Sequence, residues 1–157
     1  MKLDRFDRQL LNLVQADATR TADQLSEFVA LSPSAIQRRL RRLKDGGVII
    51  RETAIVDPRH VGRPTFFVVS VQVERERPEL LARLRAWLAD HDEVQQAFYV
   101  TGEADFILVI AAPNTEAFDE LMSVMMADNP NVLRFTTNVA LSIVKRSLFV
   151  PVTIDTE

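Results

Sequence analysis

The sequence contains no cysteine and only two histidines, His60 and His91. A chain without cysteine cannot form the disulfide framework of a small exported domain, and it has no thiol nucleophile. The two histidines have no spacing that suggests a shared metal ion. Glycine is scarce as well, with four residues in the chain, and no glycine-rich phosphate loop is present. We therefore expect no catalytic residues, no metal and no cofactor.

Long apolar runs are also missing. No segment approaches the ~20 apolar residues that a helix needs to span a bilayer. The first seven residues include Lys2, Asp4, Arg5 and Asp7, and so lack the apolar core of a signal peptide. The composition, 47% hydrophobic and 26% charged, is typical of a soluble globular protein. We expect a cytoplasmic protein with no membrane partner.

Charge is distributed unevenly along the chain. The formal net charge is −3, yet residues 1–60 carry eleven Lys/Arg against eight Asp/Glu. Residues 61–157 carry eight Lys/Arg against fourteen Asp/Glu. Such a split suggests that the two parts meet different partners, although a three-charge excess over sixty residues can also arise by chance. The placement of the basic residues has to decide whether nucleic acid is one of those partners.

The first sixty residues predict three short helices. Asp4 suits the N-cap of the first, because its side-chain oxygen can accept a free backbone N–H. The segment 21–24, Thr-Ala-Asp-Gln, is a capping box that opens the second helix, which ends near Ala30. Ser32-Pro33 opens the third. Gly46-Gly47 predicts its end, since glycine accepts the left-handed conformation that helix ends favour.

A short hairpin or wing is predicted after the third helix. Apolar residues at 48–50 and 53–56 flank Arg51-Glu52, a pattern typical of two short strands. The segment 57–64 contains two prolines and a glycine, which indicate a linker. We therefore predict a winged helix-turn-helix domain over residues 1–56, a linker over 57–64 and a second domain over 65–157.

The second part of the chain alternates between strands and helices. Period-two alternation predicts a strand at 65–73, and leucines at helical spacing predict a helix at 78–90. Further elements are predicted at 94–100, 106–111 and 132–143 as strands, around Phe118, Leu121, Met122 and Met125 as a helix, and at 148–152 as an additional edge strand. This β-α-β-β-α-β order is that of a ferredoxin-like α+β domain. Both helices cover one face of such a sheet, so apolar residues on the other face predict a homodimer.

The third predicted helix has an outward face that suits DNA. Ile36, Leu40 and Leu43 fall on one side of a helical wheel and form the buried stripe. The polar residues opposite this stripe and at the N-terminal end of the helix are Ser32, Ser34, Gln37, Arg38, Arg41 and Arg42. Arg and Gln side chains can form paired hydrogen bonds with guanine and adenine edges in the major groove, and a helix N-terminus attracts phosphate. Arg39 lies beside the buried stripe, so we expect it to pack or to form an ion pair.

A solvated basic face is the alternative interpretation of this helix. Two observations argue against it. No acidic residue within the helix precedes Asp45, so acids that would balance the arginines as i,i+4 pairs are absent before that position. A capped helix also precedes the basic helix by a short turn, as in a helix-turn-helix. We therefore expect double-stranded DNA as a partner.

Several motifs together resemble the leucine-responsive regulatory protein/AsnC family, the feast/famine regulators. They are the opening Leu3-Asp4-Arg5-Phe6-Asp7-Arg8-Gln9-Leu10-Leu11, then Leu31-Ser32-Pro33, the arginine-rich 38–43, Gly47-Val48-Ile49, Thr101-Gly102-x-x-Asp105 and Val144-Lys145. Each motif is short, but their order and spacing cover nearly the whole chain. The resemblance implies dimers formed through the sensor sheets, assembly into octamers or other higher oligomers, and an amino acid or related metabolite bound where sensor domains of neighbouring dimers meet.

The resemblance places the effector at the loop that contains Thr101, Gly102 and Asp105. Glycine between two apolar strands permits a tight turn whose N–H groups could cradle a carboxylate. Asp105 could then pair with an α-ammonium group, while Thr136 or Thr137 supplies a hydroxyl. The alternative is an ordinary β-turn with a solvated acid.

These inferences favour a sequence-specific, DNA-binding transcription regulator that responds to an amino acid or related small metabolite. An architectural, nucleoid-type DNA-binding protein without an effector is a second hypothesis. A third is a small enzyme, because ferredoxin-like dimers also host oxygenases and the fold alone does not decide function. The basic three-helix unit favours the DNA-binding hypotheses, since such an enzyme would not need it. The sequence does not reveal the effector, the operator or the direction of regulation.

Overall fold

The computed structural model describes residues 1–154, which form two compact units. The first unit contains Met1–Ile55 together with the C-terminal segment from Lys145 onward, and the second contains Val56–Val144. The second domain is predicted over residues 65–157, of which 155–157 lie outside the described residues. The chain leaves the second unit at Val144 and returns to the first.

The first unit is built on three helices. They are α1 (Arg5–Ala16), α2 (Ala22–Ser26) and α3 (Pro33–Asp45). The predicted caps are confirmed, because the side chains of Asp4, Thr21 and Ser32 accept backbone N–H groups at the three helix starts. The helices pack around a small apolar core of Leu10, Leu25, Val29 and Ile36.

The two short strands predicted over residues 48–56 do not form. No strand lies between residues 46 and 64 of the structure. The segment contains a single 3-10 turn at Pro58–His60. Ile50 and Ile55 are 90% and 83% exposed, so these two side chains gain little burial in the segment. An isolated two-stranded hairpin is marginal in water without such packing.

The second unit has the predicted βαββαβ order. Its elements are β1 (Thr65–Val73), α4 (Pro78–Asp90), β2 (Val94–Tyr99), β3 (Phe106–Ala112), α5 (Thr115–Asp128) and β4 (Val132–Val139). The four antiparallel strands lie in the order β2-β3-β1-β4, which is the ferredoxin-like arrangement. β4 ends at Val139 and does not extend to residue 143 as predicted.

The two faces of this sheet differ in burial. On the covered face, Phe67, Val69 and Val71 of β1 are buried with core residues of α4 and α5. On the other face, which we call the open face, the alternating residues of β1, β2 and β3 are only partly covered: Phe66, Val68, Phe98, Ile107 and Val109. The strand periodicity therefore gives the sheet a second, partly exposed apolar surface.

Residues 148–152 do not add an edge strand to the sheet, as the sequence pattern had suggested. They are instead extended beside α1 in the first unit, where Val150 and Val152 form hydrogen bonds with side chains of Gln15 and Asn12. A strand-like pattern cannot tell which partner satisfies the backbone. Within residues 1–154, no helix is long and apolar enough to cross a membrane.

Candidate DNA-binding face and effector loop

α3 presents the predicted polar face to solvent. Its buried side consists of Ile36 and Leu43, both fully buried, with Leu40 partly buried against the same core. All six predicted DNA-binding residues are exposed: Ser32, Ser34, Gln37, Arg38, Arg41 and Arg42. At the N-terminus of the helix, the Ser32 hydroxyl accepts the Ala35 N–H at 3.3 Å and lies 3.2 Å from the Ser34 hydroxyl. The helix start therefore carries two hydroxyls beside its free N–H groups.

Two arginines of α3 are engaged by a buried acid of α1. Asp7 is fully buried, and its two carboxylate oxygens accept from Arg39 Nη1 at 2.8 Å and from Arg42 Nη2 at 2.5 Å. Arg39 also donates to Asp4 at 2.6 Å. This Asp4–Asp7–Arg39–Arg42 network confirms the expectation that Arg39 forms an ion pair. Arg42 therefore already has a carboxylate partner, and bound DNA would have to share the Arg42 guanidinium with Asp7.

The network shifts the pKa of two residues, Asp4 and Arg39. Burial acts to raise the pKa of Asp4, but the Asp7 N–H and the Arg39 guanidinium outweigh it and lower the pKa below its ordinary value. The hydrogen bond to Asp4 raises the pKa of Arg39. Both shifts favour the charged forms, so the link between α1 and α3 is ionic at neutral pH.

The remaining residues of the polar face are unengaged. Within residues 1–154, the side chains of Gln37, Arg38 and Arg41 form no hydrogen bond or ion pair. Arg and Gln are the side chains that read guanine and adenine edges by paired hydrogen bonds. The structure therefore separates the basic helix into two arginines that fix it on α1 and two that are free to meet a ligand.

The predicted effector loop is pinned to the end of β1. The Asp105 carboxylate accepts the Val73 N–H at 2.7 Å, and the Asp105 N–H donates to the Val71 carbonyl at 2.9 Å. Gly102 has a φ of +123° and open space where a side chain would begin, so the turn needs glycine for its backbone conformation rather than for space. Asp105 thus has a structural role, and its other carboxylate oxygen accepts no hydrogen bond within residues 1–154.

The two predicted threonines lie on opposite faces of β4. Thr136 is paired with Ser70 on the open face, whereas Thr137 is paired with Val69, which is buried on the covered face. The Thr137 hydroxyl is buried and has no hydrogen-bond partner within residues 1–154. Because successive strand residues point to opposite faces, a ligand on the open face could meet only Thr136, and a ligand on the covered face only Thr137.

Two polar residues beside the loop were not predicted. The Gln72 amide donates to the Glu103 carbonyl, and its oxygen accepts from Arg134 Nε at 2.6 Å. Arg134 has no carboxylate partner within residues 1–154. Gln72 and Arg134 are paired across β1 and β4, on the same face as Thr136. Sixty-two positions separate them in the sequence, so only the strand register could reveal this contact.

The chain matches two family models. Residues 3–50 match a winged helix-turn-helix DNA-binding model, and residues 67–148 match the Lrp/AsnC ligand binding domain. The chain belongs to the Lrp/AsnC family of transcriptional regulators. Curated relatives agree with this assignment. An uncharacterized HTH-type transcriptional regulator of Sinorhizobium fredii is 41% identical over 98% of this chain and 91% of its own length. The leucine-responsive regulatory protein of Escherichia coli is 30% identical over 92% of this chain and 88% of its own.

Solved structures of the Lrp/AsnC family share the architecture. An AsnC family regulator from Agrobacterium tumefaciens superposes with a TM-score of 0.86 at 27% identity, covering 95% of this chain and 97% of the other. A transcriptional regulator of Neisseria meningitidis, solved as a complex with L-Met, superposes with a TM-score of 0.85 at 27% identity, covering 96% and 97%. The predicted winged helix-turn-helix and ferredoxin-like architecture is thus that of the family.

Proposed function

We propose that this Lrp/AsnC regulator binds a roughly palindromic DNA site as a homodimer, and that an amino acid at the loop around Gly102 modulates the binding. The observation that carries the DNA-binding part is the unengaged pair Arg38 and Arg41 on the exposed face of a helix that Asp7 holds on α1. A helix fixed on its own domain can present such side chains to the major groove.

Arg38 and Arg41 are tested against Arg5, an arginine of the same unit that is equally exposed and forms no ion pair within residues 1–154. Replacing Arg38 or Arg41 by Ala should weaken DNA binding by ~1–3 kcal/mol if the residue reads a base. Arg5→Ala should change affinity little. Binding is measured by gel-shift titration at fixed salt on selected DNA sites. Equal affinities for the wild type and both variants would refute this placement.

The effector proposal rests on four groups that line the end of β1. The turn at Gly102 offers backbone N–H groups, Asp105 offers a carboxylate, Arg134 offers a guanidinium and Thr136 offers a hydroxyl. A zwitterion needs an anion partner and a cation partner within one small site. The relative solved with L-Met supports an amino acid as the class of ligand. Thr101 stays in the predicted site as an exposed residue of the turn.

Arg134 gives a cleaner test of the effector than Asp105, because Asp105 also anchors the loop to β1. Arg134→Ala should weaken amino-acid binding, and Arg83→Ala, on the exposed side of α4 without an ion pair within residues 1–154, is the matched control. Calorimetry with methionine and the other amino acids measures both. If no amino acid binds the wild type, the protein is an architectural DNA-binding protein without an effector.

The open face of the sheet supports the homodimer. Its half-covered residues Val68, Ile107 and Val109 and the exposed Phe98 form one apolar surface across three strands. Such a surface is normally buried against a partner. In a homodimer, two α3 helices would meet two half-sites one or two helical turns apart. Assembly of dimers into octamers or other higher oligomers is expected from the family.

A further inference from the structure

Three polar side chains of α1 hold the C-terminal segment in an extended conformation. Arg8, Asn12 and Gln15 lie four and three positions apart, so they follow one edge of the helix, which we call the amide edge. The Gln15 amide donates to the Val150 carbonyl at 3.0 Å and accepts the Val150 N–H at 2.8 Å. Asn12 bonds Val152 in the same paired way, at 2.8 and 3.1 Å.

The geometry is that of a strand pairing with a helix edge. A side-chain amide presents a C=O and an N–H in one plane, as a peptide group does, so each amide replaces one residue of a neighbouring strand. Arg8 completes the row by donating to the Thr153 carbonyl at 3.1 Å. Seven helical residues rise about 10 Å, and three extended residues span about the same distance. The segment therefore runs antiparallel to α1, and the two rows have about the same total length.

Pro151 lies between the two paired residues, Val150 and Val152, at a position where the α1 side chains need no N–H. Alternate residues of an extended chain direct their N–H and C=O groups to opposite sides, so the partner of Val150 and Val152 does not meet residue 151. Proline therefore costs no hydrogen bond there, as on the solvent side of an edge strand. It also fixes its own φ near −65° and biases Val150 towards extended backbone. The segment is thus partly ordered for docking by its own sequence.

These hydrogen bonds involve only the main chain of the docked residues. Val150 and Pro151 stay exposed, and Val152 is only partly covered. The amide edge thus selects an extended backbone rather than particular side chains. Hydrogen bonds that remain open to water contribute little each, so the segment is held by a short row of weak, reversible contacts.

The docked segment begins as the continuation of β4. The Ala140 N–H donates to the Phe66 carbonyl at 2.8 Å, so the chain after β4 leaves the sheet beside the start of β1. β1 itself follows the linker directly. Consequently, both covalent connections between the two units, the linker and the C-terminal segment, depart from the same corner of the sheet.

We propose that the amide edge of α1 is the docking surface for the C-terminal segment, and that the docked segment is a second tether between the sensor sheet and the DNA-binding unit. A single linker lets two units reorient freely, whereas a second attachment point restricts that motion. The tether starts at β4, the strand that carries Arg134 and Thr136.

Docking is tested by amide hydrogen exchange of the full-length protein, resolved by residue and corrected for intrinsic exchange rates. The amides of Val150 and Val152 should be protected and that of Thr153 should not, because the Thr153 N–H forms no hydrogen bond within residues 1–154. This contrast should disappear in the Asn12→Ala, Gln15→Ala double variant. Alanine keeps the helix, so the loss reports the missing amides.

Gln9→Ala is the matched control for the docking test. Gln9 is a glutamine of the same helix that forms no hydrogen bond through its side chain within residues 1–154, so protection should remain at wild-type values. Equal protection of residues 150, 152 and 153 in the wild type would overturn the docking. So would protection that survives in the double variant.

The tether is tested by distances between spin labels. The chain has no cysteine, so Glu27→Cys in the first unit and Glu120→Cys in the second introduce the only two labelling sites, both at exposed positions. Labelled chains are diluted with unlabelled chains, and double electron–electron resonance measures the distance distribution. The Asn12→Ala, Gln15→Ala variant should show a broader distribution than the wild type and the Gln9→Ala control. A distribution of unchanged width would overturn the tether, whatever the DNA or effector measurements show.

Discussion

Asp7 is the residue on which the placement of α3 depends. It is fully buried, whereas its partners Arg39 and Arg42 keep 21% and 49% of their side chains exposed. Removing the arginines should therefore cost a different amount of stability from removing the charge of Asp7. An arginine that loses Asp7 can regain water, but a buried carboxylate that loses its arginines cannot.

We predict a corresponding order of destabilisation. Asp7→Asn should lower the free energy of unfolding of the first unit by ~1–3 kcal/mol, since it removes charged hydrogen bonds but leaves no buried charge. The Arg39→Met, Arg42→Met double variant should cost more, ~3–5 kcal/mol, because it isolates the buried Asp7 carboxylate. Urea unfolding at pH 7 measures both. A smaller loss in the double variant than in Asp7→Asn would contradict this account.

Asp4 makes the same network sensitive to acid. The folded state holds the Asp4 pKa below its ordinary value of 3.8, so the unfolded chain binds the proton more readily. The contribution of Asp4 to stability is therefore present above about pH 4 and is lost as the pH falls through the lower, folded-state pKa.

The acid sensitivity of Asp4 is tested with Asp4→Asn. Asparagine caps a helix as well as aspartate does but does not titrate, so the variant should lose less stability than the wild type between pH 5 and about pH 3. Urea midpoints measured across this window check the prediction. Parallel curves for the two proteins would mean that other carboxylates dominate the acid transition.

At the scale of elements, the start of α3 combines a cap with a proposed DNA contact. The Ser32 hydroxyl accepts the Ala35 N–H and is itself exposed, so both roles fall on one side chain. Ser32→Ala should lower stability by about 1 kcal/mol, because it leaves a helix N–H unpaired.

Ser32→Asp separates the two roles of this residue. Aspartate caps as well as serine and suits the helix dipole, so thermal stability should be retained. Its negative charge would face phosphate, so DNA affinity should fall. Thermal melts and gel-shift titrations are compared for both variants. Retained DNA affinity in Ser32→Asp would place the N-terminus of α3 away from the DNA backbone.

At the scale of the whole molecule, we expect the open face to determine whether the protein is a monomer or a dimer. Phe98→Glu places a charge on this face at a residue that is 51% exposed, so the fold of the single chain should tolerate it. The variant should sediment as a monomer and bind a palindromic site more weakly than the wild type, since it would present one α3 instead of two. Val124→Glu, on the exposed side of α5, is the control and should remain dimeric. A dimeric Phe98→Glu protein would place the dimer contact elsewhere.

Local patterns in the sequence determined most of the elements. Capping residues such as Asp4 and Ser32 fix helix starts because the hydrogen bond lies within four residues. Alternation of apolar residues predicted β1, and a short continuous apolar run predicted β3. The arginine-rich face of α3 could be read for the same reason, since helical spacing alone places Arg38 and Arg41 opposite Ile36.

Tertiary structure decided which of these residues are free and which are engaged. Arg42 belongs to the polar face by spacing, yet Asp7, thirty-five positions away, binds it. Strand register separated Thr136 from Thr137 and brought Gln72 to Arg134. Residues 148–152 read as an edge strand, yet their backbone found its partners in side-chain amides of α1. In each case, the local pattern permits several partners equally, and a contact between distant parts of the chain selects one of them. The free energy of that contact depends on residues far away in the sequence, so a local pattern does not reveal it.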